Sequence, residues 1–269
     1  MANTAATFHA RSLPVIAGSG TLDSLWLDWT GLAQVQAVSA SDLCAPRSRL
    51  VVLAPHPDDE ILACGGLIAL HAATGGEVLI VSASDGEASH RSSMPHNNDW
   101  QREEANLAKV RQQERASGLQ RLTSQTLHVH GLHLPDGELA ANFQQLVQSL
   151  TNLLRPGDVL VTTWRRDAHP DHDACGEAGR AATARAGCTL VQAPVWMWHW
   201  SLPGDARVPW GAMAALALPP RVVMRKQLAL AAHTSQLTPR SATTGPVLNY
   251  QSVSRAARAH EYFFVQEGR

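Results

Sequence analysis

From residue 50 onward, short apolar runs alternate with longer amphipathic segments along the chain. The run Leu50–Ala54 (LVVLA) has no polar residue, which is typical of a strand buried on both faces of a parallel sheet. The amphipathic segments between such runs have the length and composition of crossover helices. This alternation predicts an α/β fold, a Rossmann-like three-layer sandwich with a mostly parallel central sheet.

The same pattern places the individual elements. We predict strands at residues 50–54, 77–82, 126–130, 158–163 and 189–195. We predict helices at residues 60–73, 99–122, 138–154, 173–186 and 221–233, with Asp99 as the N-cap of the second, and a long polar loop at 83–99. Residues 1–45 show no clear period, so we expect them to be an N-terminal extension packed on the core of one domain at 46–269.

Composition narrows the class of protein. A chain of 269 residues that is 45% hydrophobic can bury a sizeable core, which excludes global disorder. The 22 Lys+Arg and 23 Asp+Glu residues give a net charge of -1, so neither nucleic acid nor an anionic membrane is an expected partner. No apolar stretch approaches the roughly 20 residues that span a bilayer. With no secretory signal pattern either, we expect a soluble, cytoplasmic protein, and the sequence leaves its oligomeric state open.

The motif PHPDDE at residues 55–60 follows the first predicted strand and opens the first predicted helix. Ligand sites in open α/β sheets form at such strand ends. Asp58 and Asp59 are adjacent carboxylates beside His56, and their repulsion is tolerable where a cation or strong donors compensate it. The alternative is an ordinary helix start, in which Asp58 caps the helix and Asp59 favours its dipole.

A second cluster, DAHPDHD at residues 167–173, again lies between an apolar strand and a helix. Its histidines and carboxylates suit zinc or iron, whereas a capped helix start with incidental histidines is the alternative. The loops of two parallel strands converge at one end of a sheet. We therefore predict a catalytic zinc site whose three protein ligands are His56, Asp59 and His172.

The remaining acids and bases of the two loops fit the roles that amide hydrolysis needs. Asp58 is the candidate general base for a zinc-activated water. His169 is the candidate to stabilise the oxyanion as an imidazolium, or to donate a proton to the leaving amine, and Asp171 is the candidate carboxylate that holds it.

With these motifs in place, the chain resembles the PIG-L or LmbE-like zinc N-deacetylases. PHPDDE is close to that family's AHPDDE, and HPDH occurs at 169–172. Supporting pieces follow in the family's order, namely SDGEAS at 84–89, RQQERASGL at 111–119, LPDGEL at 134–139 and HTSQ at 233–236. The resemblance covers residues 50–236. It implies a Rossmann-like fold, zinc, and removal of an acetyl group from N-acetylglucosamine conjugates such as glycolipid, thiol-cofactor and antibiotic precursors.

The resemblance implies the same ligand, base and stabiliser residues, and it adds Arg111, which is similar in position to an arginine that helps to bind the sugar. Asp85 is a further candidate for the sugar hydroxyls, and His233 for the substrate; the alternatives are a loop turn and a surface histidine.

Two features depart from the family pattern. Asp167 stands where some members have a tyrosine that assists the oxyanion, so we expect His169 to act there alone. The Trp-rich segment VWMWHW at 195–200 matches no family motif. Tryptophans two apart on a strand share a face, which predicts core or rim packing; the alternative is a stacking platform for a sugar ring or an apolar aglycone.

Other functions use similar residues. Two histidines and a carboxylate also describe non-haem iron oxygenases, but those enzymes usually have an all-β barrel, and Fe²⁺ or another divalent ion remains an alternative to zinc here. A phosphoesterase would need a second metal set. A carbohydrate-binding protein without turnover would not need Asp58. The sequence therefore predicts a hydrolase for the acetamide of a small amino-sugar conjugate, with a non-sugar amide as the alternative substrate.

Overall fold

The computed structural model describes residues 14–93, 100–241 and 243–265. In this part of the chain eight strands form one sheet. In chain order they are β1 (Gln36–Val38), β2 (Leu50–Ala54), β3 (Val78–Ser82), β4 (His128–Gly131), β5 (Val159–Thr163), β6 (Thr189–Ala193), β7 (Met213–Ala217) and β8 (His260–Val265).

Helices connect these strands. The α-helices are α1 (Asp23–Leu27), α2 (Ala40–Leu43), α3 (Asp59–Ala73), α4 (Trp100–Leu122), α5 (Phe143–Leu153), α6 (Pro170–Ala186), α7 (Met197–Trp200), α8 (Pro220–Leu230), α9 (Thr234–Leu237) and α10 (Tyr250–Ala256). Short 3₁₀ helices occupy Thr30–Gln34, Glu87–Ser93 and Trp210–Ala212.

The strand order is β1-β7-β8-β6-β5-β2-β3-β4, and only β8 runs antiparallel to its neighbours. The chain leaves β2 toward β3 and β4 on one side and then returns to place β5 on the other side. β2 and β5 are therefore adjacent strands whose connections diverge, which is where an open α/β sheet forms a crevice.

Helices cover both faces of the sheet. β2 is buried along its whole length, and its side chains alternate between two cores. Val52 packs in the core shared with α3 and α8, whereas Val51 and Leu53 pack in the core shared with α5 and α6. The three-layer α/β sandwich with a mostly parallel sheet is confirmed.

The central elements lie close to their predicted positions, and the differences have local causes. α6 begins earlier than predicted because Pro170, which has no N–H to leave unpaired, occupies its first turn. α5 begins later than predicted because residues 136–142 form turns. Asp99, the predicted cap of α4, lies outside the described residues. The predicted loop at 83–99 contains the 3₁₀ helix Glu87–Ser93.

The C-terminal third holds elements that the sequence did not predict. The strands β7 and β8 complete the sheet, and the Trp-rich segment is the helix α7 rather than part of a strand. The expectation that its tryptophans share one face of a strand is wrong, because the helical turn separates them: Trp198 is buried in a third core with Trp26, whereas Trp196 is half-buried.

Part of the segment before residue 46 belongs to the sheet. β1 pairs in parallel with β7 and forms an outer strand. Trp26 of α1 is completely buried, and its indole donates a hydrogen bond to the carbonyl of Trp198. Both contacts fix these N-terminal residues on the C-terminal part of the chain.

α3 contains a break that controls the direction of its first turn. Cys64 has non-helical dihedrals, so the helix starts anew after it. The buried carboxylate of Glu261 accepts the N–H groups of Gly66 and Leu67 at 2.6 and 2.9 Å, and the ammonium of Lys226 neutralises it at 2.6 Å. Glu261 therefore acts as the cap of the second half of α3.

None of the helices in the described part of the chain is long and apolar enough to cross a membrane.

Candidate metal centre

The loops that follow β2 and β5 meet at the carboxyl end of the sheet. The loop after β2 carries His56, Asp58 and the first residue of α3, Asp59, while the loop after β5 carries His169 and leads to His172 in the first turn of α6. Register pairs Leu53 of β2 with Thr162 of β5, so the two loops leave the sheet side by side. The sequence-predicted ligands are brought together for this reason.

The three predicted ligands converge on one point. The Nδ1 atom of His56 lies 3.1 Å from Oδ2 of Asp59, and Nε2 of His172 lies 3.3 Å from the same oxygen. One ligand atom from each of the three residues lies within 4.8 Å of the other two. All three side chains are buried. Two imidazole nitrogens and one carboxylate oxygen at this spacing are a donor set typical of zinc.

A second group of donors overlaps with the first, since atoms of His56, His169 and Asp171 also lie within 4.8 Å of one another. The tautomer of His172, set by its hydrogen bond to Asp167, favours the first group as the metal ligands. Its Nδ1 donates to Oδ2 of Asp167 at 2.8 Å, which leaves the lone pair of Nε2 directed at Asp59. This Nε2 is buried without a hydrogen-bond partner in the described residues. A divalent cation would satisfy it, so the residues fit a metal.

The charges around the centre also favour a cation. In the described part of the chain, buried carboxylates outnumber buried arginines here. The carboxylates are those of Asp58, Asp59, Glu60, Asp136, Asp167 and Asp171, and the arginines are Arg111 and Arg115. Burial lowers the pKa of His172, but the charges and hydrogen bonds of Asp59 and Asp167 outweigh it and raise this pKa to about 9. The centre therefore stabilises positive charge strongly.

Asp171 supports His56 rather than His169. Its Oδ2 lies 3.1 Å from Nε2 of His56, and its two oxygens also accept the N–H groups of Gly137 and Leu139. Its position one residue after the proline of α6 turns its side chain toward the loop after β4. The predicted contact with His169 is replaced by a backbone contact, in which the N–H of Asp171 donates to Nδ1 of His169 at 3.3 Å.

Asp136 and Asp167 complete the support of the two histidines. Oδ1 of Asp136 lies 3.1 Å from Nε2 of His56. Asp167 is fully buried, and besides His172 it accepts the backbone N–H groups of Val195, Trp196 and Met197. Such carboxylates orient the ligand imidazoles and raise their basicity. Asp167, read from the sequence as a departure from the family, thus holds a ligand and the start of α7.

The sequence reasoning missed both of these roles. Asp136 lies in the LPDGEL motif, which was matched without a function, and its position after a strand was the available signal. No local signal identifies the contacts of Asp167 with Val195 and Trp196, because they join loops that are 28 and 29 residues apart.

Asp58 lies beside the ligands in a strained backbone conformation. Its φ of 131° is positive, which is costly for a residue with a side chain. The Arg111 guanidinium holds the loop by donating to the carbonyl of Pro57 at 2.8 Å and to Oδ2 of Asp58 at 3.2 Å. The carboxylate of Glu60 accepts the N–H of Asp58 at 3.3 Å. Together these contacts fix the carboxylate of Asp58 at the edge of the centre.

The environment of Asp58 suits a group that exchanges a proton near neutral pH. Burial raises the pKa of Asp58 to about 7, and the neighbouring carboxylates of Asp59 and Glu60 add to this, while Arg111 and His56 oppose it. By contrast, the two histidines His172 and His56 outweigh the effect of burial on Asp59 and hold its pKa well below the usual range. Two adjacent carboxylates therefore have different tasks.

His169 is a neutral hydrogen-bond donor. Burial and the positive charges of His172 and His56 lower the pKa of His169 to about 3, which favours its neutral form over the imidazolium considered from the sequence. Its Nδ1 accepts the N–H of Asp171, which leaves the proton on Nε2. As the N-cap of α6, it presents this donor to the cavity.

The three predicted substrate residues are placed differently from one another. Arg111 lines the cavity, but its Nη atoms are engaged with Gly86, Pro57 and Asp58, so it is placed to hold the loop. Asp85 turns away from the cavity and bonds Nδ1 of His133 at 2.7 Å. His233 is fully buried behind the centre and is not among the residues that line the cavity.

An open cavity of about 460 Å³ lies over the centre. One part of its lining is the polar wall, which contains the candidate ligands and their charged neighbours: His56, Asp58, Asp59, Arg111, Asp136, His169 and His172. A second part is the apolar wall: Ile16, Leu62, Trp196, Val247 and Leu248. The rest of the lining includes further polar side chains: Ser89, His199, Gln236, Arg240 and Asn249. The indole of Trp196 is nearly parallel to the His169 ring, at 18° and 6.3 Å between centroids, so the apolar wall begins next to the reacting groups.

Comparison with known proteins points to the part of the chain that carries the polar wall. Residues 51–183 match the family model described as PIG-L, GlcNAc-PI de-N-acetylase. A probable N-acetyl-alpha-D-glucosaminyl L-malate deacetylase 2 of Bacillus subtilis (strain 168) is 28% identical over 137 residues, which are 49% of this chain and 59% of that protein. The chain therefore matches about six-tenths of the length of this relative.

Two solved structures share the fold. The conserved protein TT1542 from Thermus thermophilus has a TM-score of 0.55 at 23% identity, covering 80% of this chain and 93% of that one. The N,N'-diacetylchitobiose deacetylase from Pyrococcus horikoshii has a TM-score of 0.52 at 17% identity, covering 91% and 89%. At these identities the likeness concerns the fold.

Proposed function

Because residues 51–183 of this chain form a domain of the PIG-L family, we propose that the protein is a zinc-dependent hydrolase that removes the N-acetyl group of an N-acetylglucosamine-type conjugate. The observation that carries the proposal is the convergence of three buried donors, one of them a carboxylate, beside a second carboxylate with a different pKa. His56, Asp59 and His172 supply the ligand atoms, and Asp58 adjoins them with a pKa of about 7.

A zinc ion held by these three residues would supply a Lewis acid that polarises the amide carbonyl and makes a water molecule more acidic. Asp58 is positioned to accept a proton from the attacking water as the new C–O bond forms. Its strained loop, fixed by Arg111, keeps the carboxylate aimed without further rearrangement.

His169 serves the developing negative charge on the carbonyl oxygen. Its Nε2–H is a neutral donor whose orientation is set by the N–H of Asp171, so it can stabilise the oxyanion without a change of protonation state. When the C–N bond breaks, the proton taken up by Asp58 is available to the leaving amine. The net reaction consumes one water and yields a carboxylate and a protonated amine.

An amino-sugar substrate is supported by the relatives. The family description names a GlcNAc conjugate, and the Bacillus relative is described as acting on an N-acetylglucosaminyl malate. Polar side chains that line the cavity, among them Gln236, Arg240 and Asn249, offer hydrogen-bonding groups suited to sugar hydroxyls.

The test is release of primary amine by the zinc-loaded protein from N-acetylglucosamine and its glycosides, beside simple N-acetylated alkylamines. We expect hydrolysis confined to the sugars, and loss of that hydrolysis in His172→Ala together with loss of one bound zinc per chain. Hydrolysis of the alkylamines alone would replace the sugar by another amide. One bound zinc without any amine release would contradict the proposed hydrolysis.

A further inference from the structure

The apolar wall has a different origin from the catalytic residues. Four of its five residues, Ile16, Trp196, Val247 and Leu248, lie outside the family-matched range 51–183. Only Leu62, in the first turns of α3, belongs to that range. The polar wall, in contrast, lies entirely within residues 51–183, although the polar side chains of Gln236, Arg240 and Asn249 from outside this range also line the cavity. Segments distant in the sequence thus add an apolar surface to a polar reaction centre.

Three residues of the wall are neighbours. Leu62, Trp196 and Leu248 line both the main cavity and a second, smaller cavity of about 50 Å³. Ile16 and Val247 are half-buried and border the main cavity beside them. Half-buried apolar side chains gathered around a cavity gain free energy when a ligand removes their surface from water.

The position of Trp196 is fixed independently of any ligand. Its backbone N–H donates to Oδ2 of Asp167 at 2.9 Å, and the same carboxylate oxygen lies 2.8 Å from Nδ1 of His172. The backbone of Trp196 and the candidate metal ligand His172 are therefore held by one buried group. The indole of Trp196 lies beside the His169 ring, at 6.3 Å between centroids, and so next to the centre.

The chemistry of the lining indicates that a sugar alone does not suit all of the cavity. Its volume of about 460 Å³ is within the roughly 300–1,000 Å³ of typical small-molecule sites. A sugar ring needs hydrogen-bond partners, which the polar wall supplies. The side chains of the apolar wall supply none except the indole N–H of Trp196, so a second, apolar part of the substrate suits that surface.

We propose that the substrate carries an apolar group next to its N-acylated sugar, and that the apolar wall of Ile16, Leu62, Trp196, Val247 and Leu248 binds this group. The inference rests on the proposed amide hydrolysis. The apolar group has two sources: an aglycone at the anomeric carbon, or an acyl chain on the nitrogen that is longer than acetyl. Both present the same aliphatic or aromatic surface to Trp196.

The experiment compares three substrates with the zinc-loaded protein: N-acetylglucosamine, hexyl β-N-acetylglucosaminide and N-hexanoylglucosamine. The last two each carry a six-carbon chain and are called the hexyl compounds below. We expect one of the two hexyl compounds to have a kcat/KM roughly 10- to 100-fold above that of N-acetylglucosamine, chiefly through KM. The favoured compound identifies the source, aglycone or acyl chain. Equal kcat/KM for all three compounds would overturn the proposal.

Variants in two separate segments locate the effect. Trp196→Ala and Val247→Asn are each expected to remove most of the preference for the hexyl compound over N-acetylglucosamine. Tyr250→Ala is the matched control, because this aromatic ring is exposed and does not line the cavity. A preference that persists in both wall variants would contradict the assignment.

A binding measurement separates this proposal from the proposed reaction. Isothermal titration calorimetry of both hexyl compounds, with and without zinc, is expected to show binding that is weakened roughly 10-fold in Trp196→Ala and unchanged in Tyr250→Ala. If no amide is hydrolysed but this binding pattern holds, the proposed reaction is contradicted and the proposed role of the apolar wall is supported. If hydrolysis occurs but Trp196→Ala leaves hexyl binding unchanged, the proposed role of the apolar wall is contradicted.

Discussion

The two walls of one cavity are stabilised in different ways. On the polar wall almost every charged group is fixed by a partner: His56 by Asp136 and Asp171, His172 by Asp167, and Asp58 by Arg111. The apolar wall consists largely of half-buried side chains, most of them from segments near both ends of the described chain and from the start of α7. In the proposed reaction the fixed charges act on the amide, because small displacements are costly in electrostatic catalysis, and we propose that the apolar surface determines which substrates fit.

The largest expected effect isolates the polar wall. Replacement of Asp58 by Asn removes the proton acceptor and keeps the shape, so we expect kcat to fall by about 100- to 10,000-fold. Zinc content by metal analysis and the affinity for the hexyl compound by calorimetry should stay unchanged. A variant that keeps its kcat would remove Asp58 from the reaction, and one that loses hexyl binding would show that the two walls are not separable.

Glu261 tests a contact that serves both walls, because α3 supplies Asp59 to one and Leu62 to the other. Glu261→Gln leaves the buried Lys226 unpaired, and we expect the free energy of unfolding to fall by about 3–5 kcal/mol. Chemical denaturation measures this change. As a control, Glu177→Gln breaks partly exposed ion pairs with Arg165 and Arg180 and should cost at most about 1 kcal/mol. Equal losses in both variants would contradict the role of Glu261 as the cap of α3.

Asp167 contacts one residue of each wall, His172 of the polar wall and Trp196 of the apolar wall. Asp167→Asn weakens its hydrogen bonds to His172 and to residues 195–197, so we expect zinc affinity to fall about 10- to 100-fold and the preference for the hexyl compound to decrease as well. Competition with a chelator measures the first effect, and substrate comparison the second. Asp85→Asn, whose partner His133 is exposed, should change neither. A fall in zinc affinity without a change in the preference for the hexyl compound would contradict the role of Asp167 in positioning the apolar wall.

The smallest expected effect lies behind the polar wall. Burial, together with the charges of Arg111 and Arg115, lowers the pKa of His233 from 6.5 to about 3. The unfolded chain therefore binds a proton to this residue at a higher pH than the folded chain does. The stability from neutral His233 is complete above pH 6.5 and is lost as pH falls toward 3, by about 1.4 kcal/mol per pH unit.

Denaturant unfolding of wild type and His233→Leu between pH 7 and pH 4.5 measures that slope. The difference in unfolding free energy between the two proteins should shift in favour of the variant as pH falls. A constant difference across this range would show that His233 is protonated equally in both states.

The fold was largely predictable from the sequence where apolar runs are continuous. β2, β3, β5 and β6 are such runs, since each is buried on both faces and needs no distant information. β7 and β8 were missed. Their sequences MAALA and HEYFFV lie among Pro, Gly and Trp residues or carry polar groups, and they become strands by pairing with each other across the C-terminal part of the chain.

The candidate ligands were predictable because two chemically unusual loops follow two strands. The carboxylates that hold these ligands in place were not predictable. The tasks of Asp136 and Asp167 depend on distances between loops, and the helix α7 begins where the Asp167 carboxylate accepts three backbone N–H groups. Asp85, at a strand end beside the metal loop, and His233, near a helix end, stay predictions as substrate contacts. In the structure Asp85 bonds His133, and His233 is fully buried.

The most direct test is anomalous diffraction at the zinc edge from crystals of zinc-loaded Asp58→Asn with the hexyl compound that binds better. We predict one zinc peak in contact with Nδ1 of His56, Oδ2 of Asp59 and Nε2 of His172, and a hexyl chain lying against the indole of Trp196. A zinc peak on His56, His169 and Asp171 instead, or a hexyl chain directed away from Trp196, would contradict the account in which the polar wall carries the reaction and the apolar wall selects the substrate.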